Sequence, residues 1–209
     1  RGLGDVYKRQ QQRLAHENGL KVTIQMTYAS LFNDEAVEIA KHDHEVYGDE
    51  IALSLLGLPC EEFREKYKTK DFCIWMFSME DKKSIVDDVF CKFHEKFGFY
   101  PESTGSYYMD ADLTNYIKAT YPTVKCAVAT CWEEGPKAYH TCNNSWYTLF
   151  DGGPWAPWIP SKQNTHAPAA NKEEDSGIVA IPHLSRDLIA CYDCLLYTSP
   201  SPRDLSTSR

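Results

Sequence analysis

Between residues 20 and 132 the chain repeats one arrangement, in which a short apolar or β-branched run is followed by an amphipathic, charged stretch, at intervals of roughly 25 to 30 residues. That alternation constrains the fold more than any other feature, because strands separated by helices of this length pair in parallel and carry the helices on their outer faces. Leu20–Met26 alternates and is rich in β-branched residues, which predicts a strand. Asn33 or Asp34 caps the next helix, whose inner face carries Ala36, Val37, Ile39 and Ala40 and which stops at Gly48. Ile51–Leu56 predicts a buried strand, Glu61–Lys68 a short charged helix, and Phe72–Phe77, apolar throughout, a strand covered on both sides. Ser78 with Asp81 three residues on forms a capping box for a helix through Ile85, Val86, Val89, Phe90 and Phe93 to Gly98. An extended stretch at 100–108, a helix capped by Asp110, a strand at 124–132 and a short strand at 177–182 complete the series.

Six strands with helices between them predict an α/β fold with mainly parallel strands. No glycine-rich phosphate loop follows any strand, which counts against a nucleotide-binding doubly wound sheet and favours an incomplete (β/α) barrel.

The two ends of the chain carry a different signal. Residues 1–10, RGLGDVYKRQ, can be back-translated into a base string whose reverse complement, read one base in, encodes residues 194–203, CLLYTSPSPR. The expectation is that both tails, 1–10 and 194–209, are translated sequencing adapter, and that 11–193 is a metagenomic fragment of one barrel domain, cut before its first strand. Native termini, any leader, and a periplasmic or secreted location all lie outside such a fragment.

The formal charge is −8, and the tails hold five basic against two acidic residues, so the stretch between them carries −11. An acidic surface repels phosphate backbones, which excludes a nucleic-acid partner from the expectation. No apolar run approaches the length of a membrane span. Eight cysteines include no CxxC pair with a matching second pair, so a zinc ribbon is not predicted; Cys73 and Cys126 read as small core residues.

From Ser145 to His183 the sequence changes character. Trp146, Tyr147, Phe150, Trp155 and Trp158 crowd among Gly152, Gly153, Pro154, Pro157 and Pro160. A run so interrupted is neither helix nor interior strand, so its aromatic rings sit on a loop. The rings serve either as a wall of a ligand cleft or as a rigid cap over the core. The run Gly177–Pro182 delivers His183 to a strand end.

Sites in β/α folds gather at the C-terminal ends of strands. That rule nominates Thr27 and Tyr28, Ser54, Ser78 and Glu80, Tyr107, Tyr108 and Asp110, Trp132, Glu133 and Glu134, and His183. Carboxylates, a histidine and aromatic rings are the equipment of saccharide chemistry: C–H faces stack on indole, and hydroxyls pair with carboxylates. Each has a plain alternative. Asp34 and Asp110 suit helix caps, Glu133 or Glu134 a solvated turn beside Gly135-Pro136, and His183 a hydrogen-bonded structural role. His42 and His44, two apart, diverge on a helix and predict a surface rather than a metal site.

Several short stretches resemble the glycoside hydrolase and polysaccharide deacetylase β/α-barrel superfamily. Lys21-Val22-Thr23-Ile24 resembles its second-strand "K-A-T-F", and Tyr47–Ser54 its "G-H-E-I-G-N-H" strand. Phe97-Gly98-Phe99-Tyr100-Pro101 through Gly105 is similar to "F-G-x-x-P-x-x-x-G", and Gly177–His183 to the strand that ends in a catalytic histidine. The deacetylases of that group hold a divalent metal with two histidines four apart and an aspartate; Ser54 and Leu58 stand at the histidine positions here. The resemblance therefore implies the metal-free, cofactor-free branch, a hydrolase in which two carboxylates cleave a glycosidic bond of an oligo- or polysaccharide. Glu133, Glu134 and His183 are the expected catalytic residues; Tyr28, Tyr107, Trp132, Asp151, Trp155 and Trp158 the expected substrate-binding ones. The alternatives are a non-catalytic glycan-binding barrel and a metal-dependent deacetylase with other ligands.

Overall fold

In the computed structural model the described residues are 3–56, 58, 60–69, 74–132, 154 and 156–182. They form an α/β structure built on one five-stranded, wholly parallel sheet. In chain order the elements are α1 (Leu3–Glu17), β1 (Thr23–Thr27), α2 (Asp34–Tyr47), β2 (Glu50–Ser54), α3 (Glu61–Tyr67), α4 (Met79–Phe97), β3 (Ser103–Met109), α5 (Ala111–Thr120), β4 (Cys126–Trp132) and β5 (Val179–Pro182). Two 3₁₀ turns, Ala29–Phe32 and Ile74–Met76, lie between them. The helix α1 runs without a break across residue 10, where the adapter-derived tail was expected to end.

Local chemistry sets the boundaries. The Asn33 side chain accepts the Ala36 N–H to start α2, Ser78 accepts the Asp81 N–H to start α4, and Asp110 accepts the Leu113 N–H to start α5. The Ser78 hydroxyl also donates to Asp81 Oδ2 at 2.7 Å, which holds the two side chains of the cap together. Such caps each contribute about 1 kcal/mol. Gly48 and Gly98 take left-handed φ values of 71° and 79° at the ends of α2 and α4, a conformation that a Cβ would strain.

The strands lie side by side in sequence order, β1-β2-β3-β4-β5. Sequential parallel order is that of a barrel wall rather than of a doubly wound sheet, in which the order reverses at a switch point. The five strands do not close on themselves, and the sheet is a barrel segment. Among the described residues five strands stand where six were expected; of the expected strand at 72–77, Phe72 and Cys73 lie outside the described residues and the difference falls at 74–77. Ile74–Met76 turns as a 3₁₀ helix, with Ile74 and Trp75 buried. A short, wholly apolar run reports burial without reporting conformation. The place in the sheet is taken as well, because β2 pairs directly with β3 through Leu53↔Thr104 and Ser54↔Gly105.

One sheet face carries Met26, Ile51, Leu53, Ala127, Ala129 and Ala180, all in the core with Val37 and Ala40 of α2, Val86, Val89, Phe90 and Phe93 of α4, and Leu113 and Ile117 of α5. Burial of each large side chain there stabilises the fold by about 1.5–3 kcal/mol. The opposite face is smaller and more polar. Thr23 Oγ1 donates to Glu50 Oε2 at 3.0 Å, and Ser103 Oγ donates to Glu50 Oε1 at 2.5 Å. A Cβ on Gly105 would stand 3.0 Å from Gln25 Oε1, so glycine lets the Gln25 amide lie across β3.

Candidate functional site

Parallel pairing brings every strand's C-terminal end to one rim. β1 leaves the sheet at Thr27, whose Oγ1 accepts the Ser30 N–H at 3.2 Å while Ser30 Oγ donates to the Thr27 carbonyl at 2.7 Å. This tight turn swings Tyr28 inward. Its ring meets Phe32 edge-on at 5.1 Å and Phe63 at 6.1 Å, and 7% of the residue is exposed. Burial, reinforced by the Asp88 carboxylate, pushes its phenol up to about 12. Tyr28 is thus a core tyrosine, not the open stacking surface expected of it.

β2 ends at Ser54, which is buried and whose Oγ accepts the Leu56 N–H at 3.2 Å. Leu58, four residues on, is fully buried and has no donor atom to offer. The pair does not fit a divalent metal: one oxygen is already engaged and the other position is hydrocarbon. Among the described residues no group of three or more His, Cys, Asp or Glu side chains could hold a metal ion.

At the end of β3 stands the best-defined polar group of the rim. Asp110 Oδ1 accepts the Leu113 N–H at 2.8 Å, and Oδ2 accepts from Lys82 Nζ at 2.8 Å. The expectation of a helix cap holds, but the cap is also half of an ion pair, and its partner is buried. Sequence reasoning missed Lys82, although the signal was there: it lies three, four and seven residues before Ile85, Val86 and Val89, on the inner stripe of α4. Glu80, also nominated, is an exposed first-turn residue of α4.

The Met109 carbonyl accepts the Thr165 hydroxyl at 3.2 Å, which ties the segment 158–176 to the end of β3. That segment is irregular, as the density of Gly and Pro before it predicted. It is held by bridges between Trp158 and Ala180, Pro160 and Pro168, and Ser161 and Asp175. Trp158 donates its indole N–H to the Thr165 carbonyl at 3.0 Å and is 8% exposed. A ring so enclosed offers no face to a sugar, so Trp158 takes the role of a cap over the core rather than of a cleft wall. Pairing with Ala180 is the physical reason, because it adds this residue to the edge of the sheet.

Trp132 is the last residue of β4 and is in register with Met109; Pro182 is the last of β5 and is in register with Ala129. Tyr107 lies within β3. Of the other expected residues, Glu133, Glu134, Asp151, Trp155 and His183 lie outside the described residues, as do the side chains of Tyr107 and Trp132. His42 and His44 follow expectation. His42 is exposed and bonded to Asp43 at 3.0 Å, whereas His44 Nδ1 turns to the Asp49 carbonyl at 2.6 Å, so the two imidazoles do not converge.

A separate open groove of about 730 Å³ lies between α1 and α2, lined among others by Arg13, His16, Glu35, Ile39 and Tyr47. None of its lining residues comes from a strand end. Its polar groups are largely engaged, Arg13 in an ion pair with Glu17 and His16 in a hydrogen bond with Asp49. No helix among the described residues is long and apolar enough to cross a membrane.

No family model matches the chain, and no curated protein does. Among solved structures, the fold matches that of a Parabacteroides distasonis protein described as a "putative glycoside hydrolase/deacetylase", with a TM-score of 0.57 at 15% identity over 82% of this chain. The chain spans 36% of that protein's length. The shared fold is the one the sequence motifs resemble, a β/α-barrel segment.

Proposed function

We propose that this chain is part of a carbohydrate-active β/α-barrel domain whose site occupies the rim at the C-terminal ends of the strands. The observation that carries the reading is the parallel pairing of adjacent β4 and β5. Trp132 and Pro182 end these strands on one side of the sheet. Glu133 and His183 are the next residues of the chain. The likeness in fold to the protein described as a "putative glycoside hydrolase/deacetylase" supports the same reading.

In this proposal Glu133 or Glu134 is the carboxylate that donates or accepts the proton at the glycosidic oxygen, and a second carboxylate, Asp151 or one from the rest of the barrel, serves as nucleophile or base. His183 hydrogen-bonds the reacting sugar, while Trp132, Trp155 and Tyr107 supply stacking surfaces. The Ser54 and Leu58 positions favour glycoside hydrolysis over metal-dependent deacetylation.

Assay of the complete parent protein for reducing ends released from a panel of plant and microbial glycans tests the proposal. Turnover that falls by about 10²-fold or more in Glu133→Gln or Glu134→Gln, and in His183→Ala, is expected. Turnover indifferent to all three substitutions would refute the assignment. Saccharide binding without turnover would favour the non-catalytic glycan-binding barrel, and acetate release that is lost on chelation would favour the deacetylase.

A further inference from the structure

The inner stripe of α4 is Lys82, Ile85, Val86, Val89, Phe90 and Phe93, all buried, and Lys82 is its one charged member. Holding an ammonium among apolar neighbours costs several kcal/mol in desolvation and calls for a partner. Asp110 Oδ2 is that partner at 2.8 Å. The pair leaves hydrogen-bonding capacity over. An ammonium has three N–H groups, and Asp110 is the one protein acceptor within reach of Lys82 Nζ among the described residues. Asp110 in turn receives one bond on each oxygen, from Leu113 N and from Lys82, although each oxygen accepts two. The side chains are 9% and 19% exposed, so the pair opens toward solvent on the Asp110 side.

Its place in the fold gives this spare capacity a use. Asp110 follows Met109, and Met109 is in register with Trp132 at the rim where the proposed saccharide site lies. We infer that Lys82 and Asp110 together form a subsite for a neutral saccharide diol, the ammonium donating to one hydroxyl and the carboxylate accepting from its neighbour. This inference rests on the proposed function and adds to it a binding position and a ligand class. The pair is electrically neutral as a unit and sits on a chain of formal charge −8, so an anionic ligand would find no net positive charge there to offset that repulsion. Hydroxyls, which both donate and accept, match free donors beside free acceptors.

Titration of the full-length chain with methyl glucoside, followed in ¹H–¹⁵N spectra, tests this, with glucuronate and glucose 6-phosphate as anionic comparisons. Saturable shifts of the Asp110, Ala111 and Leu113 amides are expected with methyl glucoside, weaker ones with both anions. Lys82→Met keeps an unbranched chain in the apolar stripe and leaves the Asp110 cap in place. It should weaken binding at least about tenfold while the rest of the spectrum stays folded, and Lys82→Arg should restore part of the loss. If Lys82→Met unfolds, Asp110→Asn supplies the same comparison, because asparagine still caps α5. Methyl glucoside that binds at other strand ends with unchanged affinity in Lys82→Met would overturn the subsite and leave the proposed function standing. Tighter binding of an anion would overturn the ligand class. No shift at any strand end with any of the probes would count against both.

Discussion

His16 Nε2 lies 2.8 Å from Asp49 Oδ2, and this contact ties the end of α1 to the turn between α2 and β2. Asp49 is fully buried, and its other oxygen accepts the Val22 N–H at 2.9 Å just before β1. One carboxylate therefore holds three chain segments in place at the N-terminal edge of the sheet. The His16 ring stacks on Tyr47 at 3.8 Å, which fixes the imidazole from its other side. Asp49→Ala would strand the part-buried Val22 N–H and remove the imidazole's partner, and should lower unfolding free energy by about 2–4 kcal/mol. His16→Ala should cost less, about 1–2 kcal/mol, because the Val22 bond survives. Urea unfolding of the two variants checks the order; equal and negligible losses would contradict it.

Trp158 offers a second contrast. The structure makes it a packing residue that pairs with Ala180 and caps Thr165, so Trp158→Ala should destabilise the chain by about 3–5 kcal/mol. Trp155→Ala should leave stability within about 1 kcal/mol and act on saccharide affinity instead. Thermal unfolding together with a binding titration separates the two. A Trp158→Ala variant of undiminished stability would contradict its place in the core.

Four tyrosines make stability fall at alkaline pH. Burial, then hydrogen bonding to Asp87 or Asp88, raises the phenols of Tyr67, Tyr116 and Tyr121, and burial followed by the Asp88 charge raises Tyr28 to about 12. The unfolded phenols ionise near 10, so the folded state holds more protons above that pH. The contribution is complete below pH 10 and is lost as pH rises through the folded values. The urea midpoint should therefore drop between pH 10 and 12. Asp87 accepts from Tyr116 at 2.7 Å and Tyr121 at 2.8 Å, so Tyr121→Phe should flatten that drop. An unchanged slope in Tyr121→Phe would exclude the mechanism.

Most of the fold could be read from local chemistry. Asn33, Ser78 and Asp110 marked helix starts and Gly48 and Gly98 marked helix ends, because caps are written in adjacent residues. Residues 74–77 misled because an apolar run states that it is covered but not how it turns, and what decided was the distant pairing of Leu53 with Thr104. Tyr28 and Trp158 misled in the opposite way. Both stand where a site should be, but the packing of Phe63 on Tyr28 and of Thr165 on Trp158 arises from tertiary contacts that no spacing rule anticipates. Lys82 was legible as a charge on an apolar stripe and was passed over because its partner lies 28 residues away.

In the proposed function, saccharides engage the rim formed by the C-terminal ends of β1 to β5. The most direct measurement is amide-shift mapping of a bound oligosaccharide on the complete parent protein. Perturbations are expected at Trp132, at Pro182's neighbours and at Asp110, with none along the α1–α2 groove near His16 and Tyr47. Perturbations confined to that groove, with the strand ends unmoved, would contradict it.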